Sequence, residues 1–399
     1  MKSLFNCYLF LSAALVIVFQ SSQAQSEKNT AFGKGINYKN SDTSLTVKFH
    51  FRMQHLFVGE YDVQENTYES NALVRRSRLK FDGKAYSDKL SYKVELGLSS
   101  RDISTNKEFN QGRGASRIIL DAVLKYKVQK NWTLWVGQTK LPGNRERVVS
   151  SANLQFVDRS NVNSRFNIDR DMGLQLHGKY SIGSIIIKPK LSISNGEGRN
   201  ITEGNHGGFC YTGRLDLLPF GEFEGKKQDY ILSDINRQSK PKLALGLTVN
   251  ENQNTVRQQG QLGSFVTDSM GNFVSNTLSQ LEADVHFKYK GWSMLAEWAK
   301  TTGSNMQLDV SSKFITGSGI NAQVGYLFRN NWELAARYTD VTPDNSNSGL
   351  RDRTEYTFGV SKYIVGHSLK VQSDFSAFQI TSSDAFDSYR FRMQVEMQF

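Results

Sequence analysis

The chain ends Tyr389-Arg390-Phe391-Arg392-Met393-Gln394-Val395-Glu396-Met397-Gln398-Phe399. Tyr389, Phe391, Met393, Val395, Met397 and Phe399 alternate without a fault with polar residues. Successive side chains of an extended strand point to opposite faces, so this stretch has one apolar face and one wet face. The same period of two recurs at Leu45, Val47, Phe49, Phe51 and Met53, at Ile118, Leu120, Ala122, Leu124 and Tyr126, and at Leu281, Ala283, Val285, Phe287 and Tyr289. Runs of about ten residues suit a tilted strand crossing a bilayer. A soluble sandwich would alternate in the same way, so the strands alone leave both architectures open.

The connections separate the two. Several strands end in an aromatic residue and restart after a few turn residues, as at Tyr86–Tyr92, Tyr180–Ser184, Tyr289–Trp292 and Phe328–Trp332. These tight turns alternate with long polar stretches at 59–70, 100–116, 141–170, 194–208, 251–278, 301–316, 340–352 and 379–388. Short turns on one rim, long loops on the other, and Tyr and Trp at strand ends are the habit of outer-membrane barrels. Sixteen strands fit between these connections: 44–58, 71–86, 89–99, 117–128, 131–140, 171–180, 184–193, 209–218, 241–250, 279–289, 292–300, 317–328, 331–339, 353–363, 367–378 and 389–399. The expected fold is therefore all-β, a transmembrane antiparallel β-barrel of sixteen strands around an aqueous channel. The turn from Pro219 to Pro241 is too long for the pattern and reads as a small excursion.

The N-terminus predicts the compartment. Lys2 precedes an apolar run from Leu9 to Phe19, which stops at Ser21-Ser22-Gln23-Ala24. This predicts a signal peptide over 1–24, an N-terminal periplasmic segment over 25–43 and a barrel domain over 44–399 in the bacterial outer membrane. No later run approaches the ~18 apolar residues of a spanning helix. Without Cys7, Cys210 stands alone and no internal disulfide is possible. The formal charge of +11 points to anionic partners, and export argues against nucleic acid.

Further motifs resemble the phosphate-selective porins O and P. They are Arg75-Arg76-Ser-Arg78-Leu-Lys-Phe-Asp-Gly83, Asp121-Ala-Val-Leu-Lys-Tyr126, Val136-Gly-Gln-Thr-Lys-Leu-Pro142, Glu146-Arg147, Ser150-Ser151, Phe156-Val-Asp-Arg159-Ser160 and Arg170-Asp171-Met-Gly173. Gly213-Arg214, Gly325-Tyr326, Ala336-Arg337-Tyr338 and Phe399 extend the likeness to nearly the whole mature chain. The resemblance implies a homotrimer, a third long loop folded into the lumen, and phosphate or polyphosphate among the family's solutes. It also implies delivery by the barrel-assembly machinery, which reads a terminal aromatic such as Phe399.

Closure pairs the last strand with the first, so the wet faces of the last, first and second strands adjoin. They carry Lys48, His50 and Arg52, then Arg76, Arg78, Lys80 and Lys84, then Arg390 and Arg392, interrupted by Asp82 and Glu396. Lys48, Arg52, Arg76, Arg78, Lys80, Arg390 and Arg392 are the expected anion path, along which a small anion exchanges water for cationic hydrogen bonds stepwise. The opposing reading pairs them with Glu95, Asp121, Asp216, Glu282, Asp284 and Asp374 on other strands. Arg75 falls on the opposite, lipid-side face by period two. In the third long loop Arg145, Arg147, Arg159, Arg165 and Arg170 are candidates for a constriction, unless Glu146, Asp158, Asp169 and Asp171 use them as braces.

Enzyme signals are poor. The six histidines lack metal spacing and Cys210 lacks a cysteine partner, so neither catalysis, a metal nor a cofactor is expected. The competing function is a structural or adhesive barrel that transports nothing. In either case the apolar faces contact outer-membrane lipid, with the short turns expected on the periplasmic side.

Overall fold

A computed structural model describes residues 32–42, 44–103, 118–201, 204–304, 310–344, 348–380 and 385–399. The expected signal peptide and most of 100–116 lie outside the described residues.

The strands are β1 (Ile36–Lys39), β2 (Thr46–Asp62), β3 (Thr67–Lys84), β4 (Leu90–Gly97), β5 (Ile119–Lys127), β6 (Trp132–Lys140), β7 (Arg170–Gly178), β8 (Tyr180–Ile182), β9 (Ile185–Ser194), β10 (Cys210–Leu218), β11 (Lys242–Thr255), β12 (Asn276–Tyr289), β13 (Trp292–Gly303), β14 (Gly317–Leu327), β15 (Trp332–Pro343), β16 (Arg353–Val365), β17 (Leu369–Gln379) and β18 (Ser388–Gln398). Each pairs antiparallel with its neighbours, and β18 closes on β2 from Ser388↔Asp62 to Gln398↔Arg52. β7 and β8 both pair with β9, as one strand interrupted at Lys179. With β7 and β8 counted once and β1 outside the β2–β18 closure, the barrel has sixteen strands, and closure leaves no strand edge unsatisfied within the wall.

The alternation of the last strand sets its faces. Phe391, Met393 and Val395 are 42–44% exposed on the outside, while Arg392, Gln394 and Glu396 are buried inside.

Four local features depart from or add to the expected strands. The stretch 59–70 is not a long loop: the β2–β3 ladder continues to Asp62↔Thr67 with a turn of four residues. Beyond the lipid slab both faces of a hairpin meet water, so a strand there loses its apolar alternation while keeping its backbone ladder. Within 25–43, residues 36–39 form β1, which pairs with 46–49 of β2 beyond the end of β18. At the third site, Gln54 pairs with Arg76 and His55 with Val74, so Arg75 is the extra residue of a bulge. At the fourth, Glu95 pairs with Asp121 and Leu96 with Ile119, which turns Leu120 inward. A bulge adds one residue to one strand and flips the phase of everything beyond it.

Candidate functional site: the lumen

Two long connections, one from each rim, pack against strand side chains and against each other. Residues 141–169 join β6 to β7 and contain short helical turns at Arg145–Val148 and Asn161–Phe166. The second turn begins at Ser160, whose hydroxyl accepts from Asn163 N at 3.1 Å. From the other rim comes 219–241, between β10 and β11, with Leu232, Ser233, Asp234 and Gln238 all buried. The two meet: Leu232 N donates to Asn153 O at 3.0 Å, and Arg145 Nη1 donates to Asp229 O at 3.2 Å.

Both lie against inward-facing side chains of β10–β17. Gln155 donates to Ser293 and Glu333 at 2.8 and 2.7 Å and accepts from Gln323 at 3.0 Å. Lys370 Nζ donates to Ala152 O at 2.9 Å, and Asp374 accepts from Val157 N at 3.1 Å. Glycines make room: a Cβ at Gly359 would stand 2.9 Å from the Phe156 ring, and one at Gly325 would collide with the Gln155 amide. Two apolar clusters complete the packing, Val149, Leu154, Leu232 and Leu295, and Val162, Phe166, Ala299, Ile315, Val341 and Leu350.

Arg145 belongs to this packed half. Its guanidinium sits 2.9 Å from Asp216 and 2.7 Å from Asp284, and Arg214 shares both carboxylates. Burial also acts on Glu146, pushing its carboxyl above the usual range against the pull of Arg337 and the Ser160 hydrogen bonds.

Opposite lies a cavity of ≈ 1620 Å³, lined mainly by β2–β9 and the near sides of the two inserted segments. Its described lining holds twenty lysines and arginines against nine aspartates and glutamates, a formal excess of eleven basic groups. Of the expected anion path, Lys48, Arg76, Arg78, Lys80, Arg390 and Arg392 line it, and Arg52 does not. Arg52 bonds instead to Glu396 at 2.7 Å and Ser151 at 2.7 Å, which ties it to the inserted segment. Of the candidate constriction arginines, Arg147, Arg159 and Arg170, the last on β7, line the cavity, and Arg145 and Arg165 do not.

Many of these cations have partners. Arg392 pairs with Asp374 at 2.7 Å, Arg78 with Glu95 at 3.2 Å, Lys80 with Asp82 at 2.7 Å and Arg170 with Asp121 at 3.0 Å. Arg390 lies 3.5 Å from Glu355, and Arg147 pairs with Asp169. Arg159 donates to Glu146 O and Val149 O at 2.8 Å each, and burial with Arg147 beside it lowers its guanidinium to about 9. The pairing reading therefore holds for individual residues, while the excess of positive charge holds for the wall as a whole.

The bulge brings Arg75 to the same wall, against the expectation that it faces lipid. It contacts Asp158 at 2.6 Å, and Arg76 contacts the same carboxylate at 3.1 Å. Burial alone would raise the Asp158 carboxyl, but Arg76, Arg75 and Arg392 outweigh it and hold it well below the usual range.

Sequence reasoning missed Lys93, Lys125, Lys140, Lys188, Lys190 and Lys227, all in the lining. Lys125 Nζ lies 3.6 Å from the Trp135 ring centre, whose other partner is the stacked His177 ring at 4.0 Å. The signal was available for Lys93, Lys125, Lys188 and Lys190, which fall on wet faces by period two. Nothing local marks Lys227, because it sits on the inserted turn.

The family model for phosphate-selective porin O and P matches residues 47–397. A search of curated proteins finds no match. Solved structures share the fold at low identity. The outer-membrane channel DcaP of Acinetobacter baumannii is 14% identical, with a TM-score of 0.58 over 91% of this chain and 99% of that one. An anion-selective porin from Comamonas acidovorans is 8% identical, with a TM-score of 0.56 over 88% and 99%. OmpT of Vibrio cholerae in trimer form is 14% identical, with a TM-score of 0.51 over 88% and 99%.

Proposed function

The chain belongs to the phosphate-selective porin O and P family, and on that premise we propose that this outer-membrane diffusion channel selects small anions. The observation that carries this reading is the charge of the cavity, eleven more positive than negative groups around ≈ 1620 Å³. In a narrow space with low-dielectric walls such an excess is poorly screened, so it raises anion occupancy and repels cations. Because most individual cations share a carboxylate, no single site is deep enough to hold an anion, which favours passage over capture.

Lys48, Arg76, Arg78, Lys80, Arg390 and Arg392 form one side of this path. Residues 141–169 form the constriction, with Arg147 and Arg159 of the segment and Arg170 at the start of β7 toward the solute and Arg145 as an anchor. Phosphate or polyphosphate as the preferred solute is supported by the family description, and a homotrimer by the trimeric OmpT neighbour.

Reversal potentials across planar bilayers under a potassium chloride gradient, then a potassium phosphate gradient, test the reading. Anion permeability several times that of potassium is expected in both salts. Cation preference would overturn it, and absence of conductance would favour a purely structural barrel.

Assembly supplies a separate test. Phe399 exchanges backbone hydrogen bonds with Phe51 at 2.9 and 3.0 Å and packs on its ring at 5.6 Å. Deleting Phe399 is expected to reduce the folded yield in the outer membrane, as recognition by the assembly machinery requires; unchanged yield would argue against that role.

A further inference from the structure

At the short-turn ends of β12–β16 the outward face carries Tyr289, Trp292, Tyr326, Trp332 and Lys362. Register pairs Tyr289 with Trp292, Trp292 with Tyr326, and Trp332 with Lys362. The alternate residues Lys288, Ser293, Glu333 and Tyr363 are the buried, inward ones. Trp292 packs 4.9 Å from Tyr326, which packs 4.9 Å from Phe328. Even so, Trp292, Phe328 and Trp332 remain 51%, 41% and 46% exposed.

Cations stand at the edge of this aromatic shelf. Lys290 and Arg329 are exposed in the two turns. Lys362 Nζ lies 5.3 Å from the Trp332 ring centre and donates to Asn330 O at 2.6 Å. Arg237, from the inserted 219–241 segment, lies 6.0 Å from the Tyr326 ring centre and donates to Leu327 O and Lys290 O at 2.5 and 2.8 Å, which fixes the two turns relative to each other. Among the described residues no ion pair joins Lys290, Arg329 or Lys362 to a carboxylate. Asp234, close by in the chain, turns inward and accepts from Gly291 N at 2.7 Å.

We propose that this cluster binds the phosphodiester headgroup of an anionic glycerophospholipid. The surface is amphiphilic in the order a lipid requires: an exposed aromatic shelf for the glycerol and upper acyl chain, then cations without acidic partners for the phosphate. A soluble acidic protein would satisfy the cations and leave Trp292, Phe328 and Trp332 against water. The cluster is independent of the pore's selectivity and rests only on the barrel spanning a membrane.

Native mass spectrometry of the full chain in micelles doped with phosphatidylglycerol or phosphatidylcholine tests it. At about 1 kcal/mol per basic residue near a headgroup, three cations give a retention preference for phosphatidylglycerol on the order of a hundredfold. The K290Q/R329Q/K362Q variant is expected to lose most of that preference. R329Q alone, in an exposed turn, should lose part of it with least risk to folding. K84Q/K89Q/K130Q, elsewhere on the same rim, should keep it. Three results would overturn the proposal: a preference that survives K290Q/R329Q/K362Q, an equal loss in K84Q/K89Q/K130Q, or displacement of lipid by inorganic phosphate.

Discussion

The two halves of the lumen start from the same alternating strands and end differently. Against β10–β17 the inward side chains meet protein: Arg145 lies between Asp216 and Asp284, Gln155 among Ser293, Gln323 and Glu333, and apolar side chains of 141–169 fill the remaining space. Against β2–β9 the inward side chains meet a cavity with an excess of positive charge. A polar inward face therefore does not by itself mean a solute path. Where an inserted segment supplies matched partners, the same residue types become a buried hydrogen-bonded core; where cations outnumber carboxylates, they remain available to a passing ion.

Removing the insertion should abolish the distinction. Excising 150–164 takes out the bonds to Lys370 and Asp374 and removes Val162 from its cluster with Phe166. Single-channel conductance is expected to rise severalfold, and an unchanged value in a folded barrel would move the narrowest point elsewhere.

A single residue should break the packed half from within. Arg145→Ala leaves Asp216 and Asp284 short of a buried partner, a loss that costs about 3–5 kcal/mol when one member of a buried pair is removed. Arg214 and Lys190 still face Asp216, so the lower end of that range is expected. Thermal unfolding followed by circular dichroism should show a lower midpoint than wild type. Lys48→Ala, on the cavity side and in no ion pair among the described residues, should change the midpoint little, and equal losses in the two variants would contradict the division of the lumen.

The barrel itself was legible because lipid imposes a strict alternation, as in Phe391, Met393 and Val395 against Arg392, Gln394 and Glu396. What escaped was whatever does not repeat. The bulge at Arg75 changes the strand phase without any local composition signal. Thr67 to Ser70 read as loop because water lies on both sides of that hairpin. Arg145 was visible as a loop arginine, but its role depends on Asp216 and Asp284, 71 and 139 residues away in sequence. The length of 219–241 marked it as unusual, yet its burial depends on residues 141–169, which it meets only after folding.

The open half can be tested at the bulge. Arg75 and Arg76 share Asp158, so removing either cation leaves the remaining pair closer to neutral. Arg75→Ala and Arg76→Ala should each shift the reversal potential toward cations by a similar amount, less at high salt. Asp158→Asn should shift it the other way. Lys300→Ala, on the outward face of β13, should do nothing. A silent Arg75→Ala would return that residue to the lipid side and remove the bulge from the argument.

The smallest expected effect lies at the long-loop rim, where a buried carboxyl joins two connections. Glu197 follows β9, is 3% exposed, and accepts from Val256 N at 3.3 Å, just beyond β11. Burial dominates its titration and pushes the carboxyl up to about 8, against the pull of the Val256 hydrogen bond and Arg257. A folded-state value raised above the ordinary 4.5 favours the closed arrangement of 195–209 against 256–275 at low pH. That contribution is complete below about 4.5, declines as pH rises, and is lost through about 8. Amide exchange at Val256, corrected for intrinsic rates, should therefore quicken between pH 5 and pH 9 (roughly the window set by the shifted group). Glu197→Gln stays neutral throughout, so its exchange should hold nearly constant over the same range. The barrel amides of β10–β17, far from this carboxyl and fixed by the closed ladder, should show no such trend. If Val256 in the Gln variant tracked wild type, the rim would be held by contacts other than this carboxyl.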